Sequence, residues 1–180
     1  GAMLILNDRI PCQGHSPDLV AAQLADAAVQ LGCESLLLDF QRPGCGETAA
    51  LASALVEELP CPVAVSEGYA AGLDCPVFLP PLPHHIPLAE YITPWQNRKI
   101  WLELALDAEV ITVTEEGCRF EPLSHIPPEN GHMEETLRCH YSIEMKPDCV
   151  SFTLWRTRED LEKLLDDAQN LGIANTVGLY

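Results

Sequence analysis

The apolar run Ser35-Leu36-Leu37-Leu38 stops at Asp39-Phe40-Gln41-Arg42-Pro43, which sets a carboxylate and a carboxamide two residues apart where the chain leaves a buried strand. Residues two apart on extended chain share a face, so Asp39 and Gln41 can act on one ligand. A second carboxylate, Glu67, ends the next apolar run, Pro62-Val63-Ala64-Val65-Ser66, and Tyr69 follows two residues later. Two carboxylates at adjacent strand ends can divide acid and base work on one substrate. In that chemistry Glu67 is expected as the acid and Asp39 as the assisting carboxylate or nucleophile. Gln41 has no proton to give at neutral pH, so it can hydrogen-bond a polar ligand but cannot serve as general acid. Asp8, Tyr69, Trp155 and Arg156, also at or just beyond strand ends, complete the expected substrate contacts. The plain alternative is that Asp8 and Asp39 cap turns or pair with Arg9 and Arg42.

Groups of this kind collect at the carboxyl ends of parallel strands, and the flanking pattern supplies such strands. Met3-Leu4-Ile5-Leu6 reads as the first, followed by a helix with Ser16 as N-cap, Pro17 at the first position and Gly32 as the stop. Val20, Leu24, Ala27 or Ala28 and Leu31 fall on one face of that helix. A helix over about 47–59, with Leu51, Leu55 and Leu59 in register, joins the second strand to the third. Nearly unbroken apolar strands alternating with helices indicate a parallel sheet covered on both faces. The rhythm then lapses: residues 68–75 are too few for the usual crossover helix before Val77-Phe78-Leu79.

A proline-rich link over about 79–98 follows, with a short helix near 88–92, and then a strand through Trp101. Tyr91, Trp95 and Trp101 surround the link and either clamp it to the core or line a ligand groove. Residues 109–123 read as a hairpin turning at Glu115-Glu116-Gly117. Two further strands, a helix capped by Thr157 with Asp160 three residues on, and a last strand ending at Tyr180 close the chain. The pattern predicts one α/β domain over residues 1–180. Its fold is (β/α)-barrel-like, incomplete or truncated, with an inserted β-hairpin, since a closed barrel takes about 250 residues. The alternative is an open doubly wound parallel sheet.

At Asp39-Phe40-Gln41 the sequence resembles the family 18 glycoside hydrolases and their non-catalytic chitinase-like relatives, whose barrel has an Asp-rich strand ending in Asp-x-Glu. The resemblance implies that Asp39 matches the Asp that orients the substrate acetamide, and that Gln41 stands where the family has its acid. Leu37 replaces a further family Asp and Glu34 falls at the position of the first. Trp155 is similar to the family's sugar-stacking tryptophan. The implied function is carbohydrate binding or glycoside hydrolysis at the strand ends. The other reading is a non-catalytic interaction or scaffold protein with a degraded pocket.

Composition narrows the partners. Ten Lys and Arg against 27 Asp and Glu give a formal charge of -17, which repels phosphate backbones and anionic bilayers. An oligosaccharide or other small polar ligand is the expected partner, with no nucleic acid and no membrane, and a homodimer is compatible with the chain. No apolar stretch reaches the roughly 20 residues of a membrane helix. Eight cysteines scattered beside apolar runs read as free thiols in a reducing cytoplasm rather than as a disulfide framework. Six histidines show no metal-ligand spacing, and the adjacent His84 and His85 read as solvated, so neither a metal nor any other cofactor is expected. Cys45, at the start of a helix, is a candidate nucleophile, with a small residue in a tight turn as the alternative. Acidic pairs such as Glu57-Glu58 and Glu115-Glu116 read as solvated faces.

Overall fold

The computed structural model describes residues 2–9, 16–42, 44, 46–127 and 131–178. Cys45 and Tyr180 lie outside the described residues. The chain divides into two compact units, Gly1–Pro80 with Trp95–Leu102, and Pro81–Pro94 with Glu103–Tyr180.

The first unit carries strands β1 (Ala2–Asn7), β2 (Cys33–Asp39), β3 (Val63–Ser66) and β4 (Val77–Leu79), and the start of β5 (Ile100–Leu104). They pair in parallel in chain order. A doubly wound sheet reverses its order at a switch point, whereas these strands advance in one direction, as in a barrel wall. The fold is therefore (β/α)-barrel-like. Leu36, Leu38, Val65, Val77 and Leu79 are wholly buried along the strands, each contributing about 2 kcal/mol of apolar transfer.

Helix α1 (Pro17–Gln30) starts at Ser16 with Pro17 in its first turn, and α2 (Gly46–Glu58) packs against it. Leu51, Leu55 and Leu59 are buried as expected. Of the expected apolar face of α1, Ala28 is buried and Val20 and Leu24 are half-buried, whereas Leu31 is 65% exposed; Ala21, outside that face, is buried too.

Ten residues, 67–76, connect β3 to the parallel β4 without a helix. Arg98 fastens this segment, donating to the carbonyls of Ala70 at 3.3 Å, Leu73 at 2.7 Å and Cys75 at 2.7 Å. Buried carbonyls need partners, and one guanidinium supplies donors for three.

The second unit contains the link, with α3 (Leu88–Tyr91) and a 3-10 turn at Thr93–Trp95 at its end, the latter passing into the first unit's sequence. Its sheet is antiparallel: β6 (Ala108–Thr114), β7 (Gly117–Pro122), β8 (His132–Glu134), β9 (Cys139–Lys146) and β10 (Cys149–Trp155), in the order β7-β6-β10-β9-β8. The expected hairpin is thus β6–β7 of a larger five-stranded sheet. Helix α4 (Arg158–Asn170) follows with the complete Thr157–Asp160 capping box, and β11 (Asn175–Gly178) stands next to β5 in its sheet order.

Cross-strand register gives this sheet two unlike faces. Phe120, Ile111, Phe152 and Ile143 form one row, and Cys118, Val113, Val150 and Met145 the next on the same face. The alternate rows carry Arg119, Thr112, Ser151 and Glu144, then Glu121, Val110, Thr153 and Ser142.

Candidate functional site

Register places Asn7 beside Asp39 at the carboxyl ends of β1 and β2. The Ser66 hydroxyl joins β3 to this edge, accepting the Phe40 N–H at 2.9 Å and donating to the Leu38 carbonyl at 2.8 Å. Beyond Asp39 the backbone turns over the Asp8 carboxylate, which accepts the N–H of Gln41 at 3.1 Å and of Arg42 at 2.8 Å. Burial pushes the Asp8 carboxyl up, but these backbone donors and the nearby Arg42 charge outweigh it and hold it below the ordinary value. Asp8 therefore caps the turn, one oxygen to each amide. Arg42 reaches back to the Arg9 carbonyl at 2.6 Å, and the Tyr69 hydroxyl donates to the Arg42 carbonyl. The Tyr69 ring meets Phe40 edge to face at 5.8 Å.

On this braced corner the Gln41 carboxamide donates to Asp39, with Nε2 3.1 Å from Oδ1 and 3.3 Å from Oδ2. The pair forms as the two-residue spacing requires, and Gln41 is exposed. Glu67 is exposed in the turn after β3, its N–H on the Phe78 carbonyl at 3.1 Å. Leu38 pairs with Val65 at the end of the β2–β3 ladder, so Asp39 and Glu67 both lie beyond it, Asp39 as the last residue of β2 and Glu67 in the turn after β3. Ser66 escaped the sequence reading; its signal is a hydroxyl ending an otherwise apolar strand.

Trp155 and Arg156 belong to the second unit, and the structure gives both other work. Each is 1% exposed. The Trp155 ring stacks on His140 at 5.9 Å and lies so close to Gly131 that a Cβ there would sit 2.3 Å from it. Arg156 donates to the carbonyls of Leu82, Pro83, Leu137 and Arg138. Both side chains are thus buried in this arrangement, Arg156 on backbone carbonyls and Trp155 on His140, with Trp155 Nε1 left without a hydrogen-bond partner among the described residues.

His84 is also buried, against the solvated reading. Its Nδ1 lies 3.2 Å from Glu109 and its Nε2 3.3 Å from Asp107, while His85 approaches the same Glu109 at 3.7 Å. Burial lowers the His84 pKa, but the two carboxylates prevail and raise it; the His84 hydrogen bond holds Glu109 low against burial. A third pair joins His140 Nδ1 to Asp160 at 2.8 Å, beside a cavity of about 510 Å³ lined by His140, Thr157, Arg158, Glu159 and Glu162. Burial raises the Asp160 pKa, yet Thr157 and His140 together bring it below the ordinary value.

Among the described residues no group of three or more His, Cys, Asp or Glu is placed to hold a metal ion, and no helix is long and apolar enough to cross a membrane. The six described cysteines, Cys33, Cys61, Cys75, Cys118, Cys139 and Cys149, are free.

No protein-family model and no curated protein matches the sequence. Solved structures match its fold. The spore cortex-lytic enzyme SleL of Bacillus cereus superposes with a TM-score of 0.54 at 10% identity, over 98% of this chain and 55% of that one. SleL of Bacillus megaterium gives 0.56 at 12% identity, over 98% and 55%. The Bacillus subtilis protein ydhD, described as a candidate sporulation-specific glycosylase, gives 0.62 at 9% identity, over 97% and 78%. The chain spans about half the length of the two SleL structures. At these identities the likeness establishes a shared fold and leaves the family 18 resemblance resting on residues 34–41.

Proposed function

We propose that the corner formed by the ends of β1 and β2 binds a carbohydrate, with Asp39 and Gln41 as the hydrogen-bonding pair. The observation that carries this is the Gln41 carboxamide seated on the Asp39 carboxylate at an exposed strand end. Together they offer donors and acceptors on one face, as adjacent sugar hydroxyls require. The fold likeness to two enzymes described as cortex-lytic supports a polysaccharide fragment as the ligand class.

Binding without cleavage is the reading favoured here, because Gln41 stands where the resemblance puts the acid and a carboxamide has no proton to give. The hydrolytic alternative keeps Glu67 as acid and Asp39 as assisting carboxylate.

Thermal shift against chitin-, peptidoglycan- and glucan-derived oligosaccharides tests both, since a ligand of the folded state raises stability by mass action. A shift with one sugar class, lost in Asp39→Ala and Gln41→Ala, supports the site. Hydrolysis of that sugar, abolished by Glu67→Gln, would favour the enzyme. No shift with any sugar at about 10 mM would return the fold to the scaffold reading.

A further inference from the structure

We infer that His140 is a proton-transfer site, its Nε2 serving as general base toward a water in the cavity beside it, for hydrolysis of an uncharged carboxylic ester. The site lies wholly within the second unit and is independent of the sugar reading. Two contacts fix the imidazole. Its Nδ1 is 2.8 Å from Oδ2 of Asp160, a carboxylate only 1% exposed, and its face stacks on the Trp155 ring. The same Oδ2 accepts the Thr157 N–H at 2.8 Å and the Thr157 hydroxyl at 2.7 Å, so Asp160 is committed as an acceptor and the ring proton sits on Nδ1. The lone pair is left on Nε2, which has no hydrogen-bond partner among the described residues, on a ring that lines the cavity of about 510 Å³. Capping α4 requires only Thr157 and Asp160, so the histidine is not explained by the helix start.

The other lining groups select the substrate. Arg158 pairs with Glu162 at 3.4 Å, and Glu159 with Lys163 at 3.1 Å, so the exposed charges cancel in pairs and neither an anion nor a cation is favoured. Behind them, Arg138 and Arg156 add their field at Asp160. The first amides of α4, those of Arg158 and Glu159, have no intrahelical partner, and such donors stabilise an oxyanion. Thr157 is not the nucleophile, because its hydroxyl proton goes to Asp160 rather than to His140. Water is. Nε2 takes a proton from water as the water oxygen bonds the acyl carbon, and the carbonyl oxygen becomes the oxyanion. Collapse breaks the bond from acyl carbon to alkoxy oxygen, and the Nε2 proton passes to that oxygen, giving an alcohol and a carboxylic acid.

Hydrolysis of p-nitrophenyl acetate and butyrate by the 180-residue chain tests this. Saturable turnover is expected, rising with pH as the imidazole loses its proton, and at least about a hundredfold lower in His140→Gln, whose amide still donates to Asp160. Asp160 is a positioning residue: Asp160→Asn should lower kcat about tenfold or more at unchanged KM and move the rising limb to lower pH, since the imidazolium loses its carboxylate. His132→Gln, at an exposed ring outside the cavity, should leave the rate unchanged. Nitrogen NMR should find the proton of the neutral ring on Nδ1, a readout that needs no substrate. If Asp160→Asn does not fold, His140→Gln and the NMR decide alone. Turnover that survives His140→Gln, no turnover above that variant with either ester, or a neutral ring protonated on Nε2 overturns the proposal.

Discussion

Oδ2 of Asp8 accepts the backbone N–H of Arg42 at 2.8 Å across 34 residues of sequence, fixing the exit of β2 to the exit of β1. Charge-assisted bonds of this kind are worth more than neutral ones. Asp8→Ala is expected to cost about 2 kcal/mol by urea unfolding. Because the folded-state pKa lies below the unfolded value, this stabilisation is full above the ordinary carboxylate range and disappears as pH falls through the folded pKa. Asp8→Asn should therefore show a smaller loss of stability in that acidic window than the parent chain.

Gln41→Glu replaces a donor with a second carboxylate against Asp39. Like charges at that distance oppose one another, so the variant should be roughly 1 kcal/mol less stable at pH 7, and the gap should close below about pH 4 as one carboxyl protonates. Thermal unfolding at the two pH values reads this directly. Equal stability at both would show that Gln41 and Asp39 do not interact.

His84 gives the second unit an opposite dependence. Its folded pKa is raised, so its contribution is full below the ordinary imidazole value of 6.5 and is lost as pH rises through the folded pKa; that of Glu109 is lost as pH falls below its own, lowered, value. The groups facing His84 are Asp107 and Glu109, with His85 sharing Glu109 and the buried Arg156 cation opposing protonation. His84→Gln should flatten the alkaline side of the stability profile. Glu109→Gln should cost about 1 kcal/mol, since the neutral amide can still accept from His84 while Asp107 keeps a charge on the other ring nitrogen. Proton NMR of the imidazole follows the titration itself.

Gly131→Ala would drive a methyl to 2.3 Å from the Trp155 ring and 2.9 Å from the Tyr141 carbonyl. The ring is 1% exposed and cannot swing into solvent. We expect a loss of about 2 kcal/mol or more, with an altered tryptophan emission spectrum.

The first unit was largely legible in the sequence because its signals are local. Leu36 to Leu38 declare a buried strand, Pro17 and Gly32 bracket a helix, and the spacing of Asp39 and Gln41 sets them on one side. What was hidden depends on distant partners. His84, in a proline-rich stretch, looks solvated until Glu109 arrives from 25 residues away. Trp155 reads as a strand end, which it is, but its neighbours across an antiparallel ladder decide that the ring is buried. That β3 stops at Ser66 and leaves Glu67 in a turn depends on where the inter-strand ladder ends, which local periodicity does not fix.

Arg98 makes the order of the corner at the carboxyl ends of β1 and β2 depend on the opposite end of the strands. Tyr69, which braces Arg42, rides on the same ten-residue segment whose carbonyls Arg98 holds. With no helix to bury, that segment has little apolar area of its own to keep it shut. It is a natural unit of local opening, and its amides should exchange with solvent together rather than one by one, at a rate set by a single side chain.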